Sequence, residues 1–252
     1  MYELQKANMW KRISAALFDV IMISIVVVGL AYLLTSLLGY DSYTERLEAA
    51  SEAYEHKHGV SFDVTAAEHE AMSEDELVRY EQAWKDFSAD KEVSQTYGMI
   101  VNLTLIIITF SFLLAFLALE FAVPLLFGNG QTLGKKVFGI GVMRWDGVKL
   151  SPLLLFARTV LGKYTVETMV PVLVVIMIYF NFIGIVGTAI LFVLLVVQLV
   201  LLASTYARTP IHDKLAQTVT VDLASQRIFE DDAALMAYKQ QMQAEKAAKA
   251  PY

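Results

Sequence analysis

The feature that most constrains this chain is an apolar run from Val20 to Leu38 that directly follows a carboxylate, Asp19. A helix of this length, at about 1.5 Å per residue, crosses a bilayer. Arg12 stands at the entrance of the predicted span, and its helical spacing from Asp19 places both side chains on one face. A carboxylate inside hydrocarbon costs several kcal/mol unless it has a partner. We therefore expect Asp19 to face other protein groups or water.

Further apolar runs indicate a protein that crosses the membrane four times. The chain is 56% hydrophobic, with a mean hydropathy of +0.51, which is above ordinary globular usage. A second span is expected over residues 97–127. Residues 165–203 form a run about twice as long as one crossing, and basic Lys163 and Arg208 flank it. Basic residues at both ends require an even number of crossings, so we predict two spans with a turn at residues 179–184.

The segment between the first two spans is strongly acidic. Residues 41–92 contain fifteen acidic and five basic side chains, a net charge of −10, whereas the whole chain carries −6. Ser42–Glu45 and Ser73–Glu76 both have the spacing of a capping box, which marks a helix start, and the first helix should end near Gly59. We therefore predict an extracytoplasmic helical hairpin over residues 41–96, a segment that can bind a protein partner.

The segment after the second span is basic, which predicts that it lies in the cytoplasm. Residues 128–163 hold six basic side chains and one acidic one. Within them, two strand-like arms at residues 137–144 and 148–150 flank Asp146–Gly147, a hairpin turn signal. Residues 218–223 alternate apolar and polar side chains and should add a third strand, because a hairpin alone is only marginally stable. The sequence predicts a small cytoplasmic β element.

The predicted fold class is an all-α membrane protein with four transmembrane helices, an extracytoplasmic helical hairpin and a small cytoplasmic β element. Both termini should lie in the cytoplasm of a bacterial cell whose plasma membrane holds the chain. The segments expected are the N-terminus with the first span (1–40), the acidic hairpin (41–96), the second span (97–127), a basic hairpin with an interfacial helix from Ser151 to Tyr164 (128–164), the third and fourth spans (165–207) and a cytoplasmic C-terminal segment (208–252).

Several kinds of chemistry are not expected. The chain has no cysteine, which excludes disulfides and thiolate metal sites. Gly128–Lys136 resembles a phosphate-binding loop, but its glycine spacing and the lysine after Lys135 depart from the motif, so we interpret the lysines as headgroup anchors. His56, His58 and His69 fit solvated surface positions better than a metal site. We expect no enzyme activity, no cofactor, no bound metal and no nucleic-acid partner.

A set of motifs resembles the RDD family of bacterial membrane proteins. The family is named for an arginine and two aspartates, and Arg12, Asp19 and Asp213 match these three. The resemblance also includes Gly130–Lys135, Asp146–Gly147, Arg158 and His212–Thr218, but it does not extend to the acidic hairpin. It implies a multi-pass membrane protein, with transport of ions or other ligands suggested for the family.

The chain topology predicts that Arg12, Asp19 and Asp213 meet at the cytoplasmic boundary. Four spans return the chain to its starting side, so Asp213 should emerge at the level where Arg12 enters. The guanidinium fork of Arg12 can bridge two carboxylates. Glu120 should lie at a similar depth as a second intramembrane acid, and Arg158 completes the predicted polar cluster.

Two functional hypotheses follow from this cluster. In the first, the protein transports or exchanges a small ion or solute by means of an intramembrane carboxylate, Asp19 or Glu120, and four spans then imply a dimer or a larger homo-oligomer in the bilayer. In the second, it is a non-catalytic scaffold or assembly subunit, its ionisable cluster locks helices together, and its external hairpin binds a partner. A flux assay with Asp19→Asn separates the two hypotheses.

Overall fold

The protein is an all-α membrane protein with four transmembrane helices, and its computed structural model is 76% helical. The structure describes residues 5–179, 182–204 and 209–249. The four helices long and apolar enough to cross a membrane are α1 (Met9–Leu37), α5 (Lys91–Phe127), α7 (Pro152–Tyr179) and α8 (Gly184–Ser204). The predicted count of spans is therefore confirmed, while part of the predicted turn, residues 180 and 181, and Arg208 lie outside the described residues.

The remaining elements are shorter. They are α2 (Tyr40–His58), α3 (Ala66–Glu70), α4 (Glu74–Ala89), α6 (Leu133–Val137), β1 (Ile140–Arg144), α9 (Ile211–Leu215), β2 (Thr218–Asp222) and α10 (Asp232–Lys249). The chain divides into two compact units. We call residues 28–111 the acidic unit, and residues 1–27 together with 112–252 the core unit.

The acidic unit contains three helices between the first two spans. Of the two helix starts predicted there, one is confirmed and one is wrong. At α4, Ser73 accepts a hydrogen bond from the Glu76 amide, and the Glu76 side chain accepts one from the Ser73 amide, as predicted. At α2, the prediction of a Ser42–Glu45 capping box is wrong. The helix begins one turn earlier, after a left-handed Gly39 whose carbonyl accepts a hydrogen bond from the Ser42 hydroxyl. Gly59 ends α2 as expected.

An aromatic cluster holds the acidic unit together. Phe62, in the loop after α2, packs against the rings of Tyr80, Trp84 and Phe87 on α4, with ring centroids 5.3 to 6.0 Å apart. Tyr54 on α2 contacts Phe87 edge to face at 5.7 Å. Aromatic pairs of this kind stabilise a fold by more than the burial of their apolar surface alone. The short helix α3, which the sequence analysis did not predict, begins at a further capping box at Thr65.

Two membrane helices of the core unit contain wide, π-helical turns. In α5 these cover Leu117–Ala122, and in α7 they cover Ala157–Met169. π-helical turns are rare and often occur at functional sites. The helix α7 also runs without a break from Pro152 to Tyr179. The predicted interfacial helix Ser151–Tyr164 is therefore the first part of the third span, not a separate element.

A small two-stranded sheet forms from the segments predicted to pair, although its first strand begins at Ile140 rather than at residue 137, which ends α6. The strands β1 and β2 are antiparallel, with Val142 opposite Thr220 and Met143 opposite Val219. Met143, Val219 and Val221 are fully buried and form a core cluster of this sheet. The second arm of the predicted hairpin is shorter than expected: beyond the turn it forms one bridge to β1, between Met143 and Lys149, and one to Phe229, from Val148.

Candidate functional site

Charged side chains of the core unit surround a cavity of about 210 Å³. They come from four elements that are far apart in sequence, namely α1, α6, α7 and α9. The charged and titratable lining residues are Arg12, Asp19, Lys135, Arg158, Lys163, His212 and Asp213. Because ionisable groups are expensive in a membrane protein's interior, their concentration around one cavity marks the candidate site.

Asp19 is bound by the loop that begins α6. Its Oδ1 accepts a hydrogen bond of 2.8 Å from the Gly134 amide, and its Oδ2 accepts one from the Thr132 hydroxyl. The Thr132 oxygen in turn accepts a hydrogen bond from the Lys135 amide and so caps α6. Asp19 is buried. The glycine-rich segment that resembled a phosphate-binding loop therefore holds a carboxylate of its own chain, using the amide and hydroxyl donors of a helix start.

Gly134 allows this contact because it has no side chain. A Cβ at this position would lie 2.3 Å from the carbonyl oxygen of Ala15 and 3.0 Å from Oδ1 of Asp19. Real Cβ atoms essentially never come within 2.3 Å of a carbonyl oxygen, so any larger residue would push α6 away from α1. The close packing of the two helices brings the Asp19 carboxylate within reach of the loop amides.

Asp213 on α9 is paired with Arg158 on α7, which lies 55 residues earlier in the sequence. The Arg158 Nε donates to Asp213 Oδ1 over 2.8 Å, and the Thr218 hydroxyl donates to the same oxygen over 2.9 Å. Both charged side chains are 1% exposed. Burial acts to raise the pKa of Asp213, but the charges of Arg158 and His212 and the two hydrogen bonds outweigh it and hold the pKa below its usual range.

A second ion pair, with a buried carboxylate and a half-buried lysine, joins two membrane helices at their π-helical turns. The Lys163 Nζ on α7 lies 2.6 Å from Glu120 Oε2 on α5, and Glu120 is 1% exposed. The Thr159 hydroxyl donates to the backbone carbonyl of Glu120 over 2.9 Å. A buried pair of this kind is costly to break from one side, because the remaining charge has no compensation.

Lys135 is buried in the same cluster. It was interpreted from sequence as a headgroup anchor, but it is only 7% exposed and lines the cavity. The neighbouring Lys136 is exposed and lies over the Phe127 ring at 3.6 Å. Burial, reinforced by the nearby charges of Lys163 and Arg158, lowers the pKa of Lys135 to about 7, although Glu120 and Asp19 act in the other direction.

Sequence reasoning missed a further pair, Glu167 with His212. The His212 amide donates to Glu167 Oε1 over 3.0 Å, and its Nδ1 lies 2.7 Å from Oε2. Burial lowers the pKa of His212, and the charge of Arg158 adds to this, while Asp213 and Glu167 oppose it. The helices α7 and α9 approach closely here, and Gly162 permits this because it has no side chain. A Cβ added to Gly162 would lie 2.6 Å from the His212 Cβ. His212 lies within the predicted motif His212–Thr218, and Glu167 lies just after the predicted interfacial helix, but no sequence spacing connects the two residues.

The structure brings together most of the predicted cluster, with different partners. Arg12 Nη2 lies 3.9 Å from Asp213 Oδ2, so the predicted approach of these residues is found. Among the ion pairs of the described residues, Arg158 rather than Arg12 makes the short contact with Asp213, and Asp19 pairs with neither arginine. The predicted bridge of Arg12 between two carboxylates is therefore replaced by hydrogen bonds from Thr132 and Gly134 to Asp19.

The residues that the structure describes contain no group of three or more histidine or acidic side chains arranged to hold a metal ion. The sequence profile of the RDD family matches residues 6–217, a range that includes Arg12, Asp19 and Asp213 and runs through the acidic unit. No curated protein and no solved structure matches the chain. The family match covers most of the chain, and the protein therefore belongs to the RDD family.

Proposed function

We propose that this protein transports or exchanges a small ion or solute across the bacterial plasma membrane. The observation that carries the proposal is the cavity of about 210 Å³, which is lined by charged groups of two membrane helices, α1 and α7. Ionisable residues in membrane segments commonly mark ion or proton pathways. The cavity is large enough for several water molecules or a small solute.

The carboxylates of the cluster give this site its chemistry. Asp19 accepts hydrogen bonds from the Thr132 hydroxyl and the Gly134 amide. Asp213 Oδ2 is a buried acceptor without a hydrogen-bond partner among the described residues. A buried acceptor of this kind takes a proton, a cation or a water as its partner. These acids are suited to exchange charge with a solute that enters the cavity.

A flux assay on purified protein in liposomes tests the proposal. We expect solute or proton flux with the wild type and its loss in Asp19→Asn, which keeps the shape of the side chain but cannot titrate. Asp75→Asn, at an exposed position of the acidic unit, is the matched control and should retain flux. Folded wild-type protein that moves no ion or solute at any pH would contradict the proposal.

The orientation that we propose follows from the charges of the connecting segments. Both termini and residues 128–164 face the cytoplasm, and residues 41–96 face the outside. A cysteine placed at Glu70 should react with a membrane-impermeant thiol reagent in intact cells, whereas one placed at Lys149 should not. The reverse pattern would overturn this orientation.

We further propose that the transporter is a dimer or a larger homo-oligomer without enzyme activity or cofactor. Four spans leave little room for a path within one chain. Light scattering of the detergent-solubilised protein should therefore give at least twice the mass of one 28.1 kDa chain. A monomer that nevertheless supports flux would contradict this part of the proposal.

A scaffold function is the second candidate, and the acidic unit favours it. A cavity of about 420 Å³ beside Trp84, Phe87 and Tyr97 leaves apolar rings accessible on an acidic surface. Trp84 is 51% exposed and Tyr97 49% exposed, and exposed aromatic residues are typical anchors for a protein partner. If Trp84→Ala abolishes co-purification of a partner while Asp19→Asn has no effect on any flux, the scaffold function replaces transport.

A further inference from the structure

Lys135 has a buried ammonium group whose hydrogen bonding is incomplete. Its Nζ donates to the neutral Thr132 hydroxyl over 3.4 Å, although an ammonium carries three donors. Among the described residues, no carboxylate oxygen lies within 4.0 Å of this nitrogen, since none of their ion pairs includes Lys135. A charged group buried without a partner is strongly unfavourable. The Lys135 ammonium therefore has no negative partner within ion-pair distance among these residues.

The acids that could supply this charge already have other partners. Glu120 is bound to Lys163 at 2.6 Å. Asp213 is bound to Arg158 at 2.8 Å. Asp19 accepts hydrogen bonds from Thr132 and from the first turn of α6. None of these carboxylates forms an ion pair with Lys135 among the described residues.

We propose that this cavity binds a small monovalent anion, with the Lys135 ammonium as its counter-ion. A volume of about 210 Å³ admits an anion of a few atoms with some of its water, since a water occupies roughly 30 Å³. The same anion is then the transported substrate, a step that rests on the proposed function. The binding itself does not depend on transport.

Binding of the anion is linked to a proton. Because Lys135 has a pKa lowered to about 7, it is only partly charged at neutral pH, and an anion beside it favours the charged form. The other charged and titratable groups around it come from α1, α5, α7 and α9, and they are Arg12, Asp19, Glu120, Arg158, Lys163, Glu167, His212 and Asp213. The anion and a proton should therefore bind together, and affinity should fall as the pH rises above 7.

Equilibrium binding of radiolabelled chloride and acetate to the full chain in detergent tests the inference. We expect saturable binding of at least one of these anions at pH 6 and, with a lysine pKa near 7, affinity lower by about 30-fold at pH 8.5. Lys135→Met should abolish the binding at both pH values, and Lys135→Gln should do the same. Lys136→Met, at the exposed neighbouring lysine, is the matched control and should bind like the wild type.

Three results would overturn the inference: no saturable binding of either anion at pH 6, binding unchanged in folded Lys135→Met, or saturable binding of radiolabelled sodium in place of both anions. The outcome is separable from that of the proposed function. Anion binding without flux in liposomes would leave the site established and refute transport. Cation flux without anion binding would support transport and refute the anion site.

Discussion

The two units of the molecule differ in whether their charged side chains are exposed or buried. The acidic unit holds fifteen acidic and five basic side chains, and none of those charged side chains is buried. The core unit has a smaller net charge, yet five of the charged residues that the structure describes in it are buried, and they are Asp19, Glu120, Lys135, Arg158 and Asp213. Exposed charges need no fixed partner because water solvates them, whereas buried charges require one.

This difference shows that local charge density is a poor guide to where charge matters. The most charged segment of the chain is held together by rings such as Phe62 and Trp84 and by helix caps. The less charged unit depends on particular ion pairs, and the incomplete pairing of Lys135 is the basis of the anion site proposed above.

The largest effect is expected for the buried pair Arg158–Asp213. Arg158→Ala leaves Asp213 charged and buried without its closest donor, which should lower the free energy of unfolding by about 3 to 5 kcal/mol. The exposed pair of the acidic unit, Lys57 with Asp86 at 4.0 Å, is the control, and Lys57→Ala should cost less than about 1 kcal/mol. Unfolding in mixed detergent micelles measures both, and equal costs would contradict the comparison.

The second prediction concerns the pH dependence of stability. The pKa of Lys135 is about 7 in the folded protein and about 10.4 in an unfolded chain, so the unfolded chain binds more protons between these values. Stability should therefore rise with pH from about 7 to 10, by a few kcal/mol for this group. Lys135→Met should lack this rise. A wild type and variant with parallel pH profiles would contradict the burial of a charged lysine.

The third prediction compares two glycines in helices. Gly134→Ala places a methyl group against the Ala15 carbonyl at 2.3 Å, and the strain should cost about 1 to 3 kcal/mol. It should also weaken the binding of Asp19 by the loop. Gly98→Ala, in α5 with nothing within 4 Å of the added carbon, should be neutral or slightly stabilising. Thermal unfolding of both variants tests this, and a neutral Gly134→Ala would show that α1 and α6 are not closely packed.

The smallest effect separates two serines of the acidic unit. Ser73→Ala removes the cap of α4 and should cost about 1 kcal/mol. Ser42→Ala should have almost no effect, because Ser42 does not cap α2. The difference in thermal midpoint between the two variants measures the cap. Equal midpoints would show that the cap of α4 contributes nothing to this unit.

Much of the fold could be predicted because its signals are local. Long apolar runs give the spans, the spacing of Ser73 and Glu76 gives a helix start, and alternation gives β2. The pairing of β2 with the arm before Asp146–Gly147 was also predictable, since a hairpin needs a further strand. The Ser42–Glu45 box failed because α2 had already begun at Tyr40, and a capping motif inside a helix has no free amides to satisfy.

The partners within the site could not be predicted, because they depend on how helices pack. The sequence predicted that Arg12 lies near Asp213, because four spans return the chain to the side of the membrane at which Arg12 enters. It did not show that Thr132 and Gly134 would bind Asp19, since that contact needs a glycine against the Ala15 carbonyl. Nor could it place Lys135 inward and Lys136 outward, because both follow the same glycine-rich turn and differ only in the face of α6 on which they lie.

The titration of Lys135 tests most directly the claim that the core unit holds an incompletely paired buried charge. Protein with ¹³C at lysine Cε, in detergent and without added chloride or acetate, can be followed by NMR from pH 5 to 11. We expect one resonance to titrate near pH 7, to be absent from Lys135→Met and to remain in Lys136→Met. The absence of any lysine transition near pH 7, or its persistence in Lys135→Met, would contradict the account.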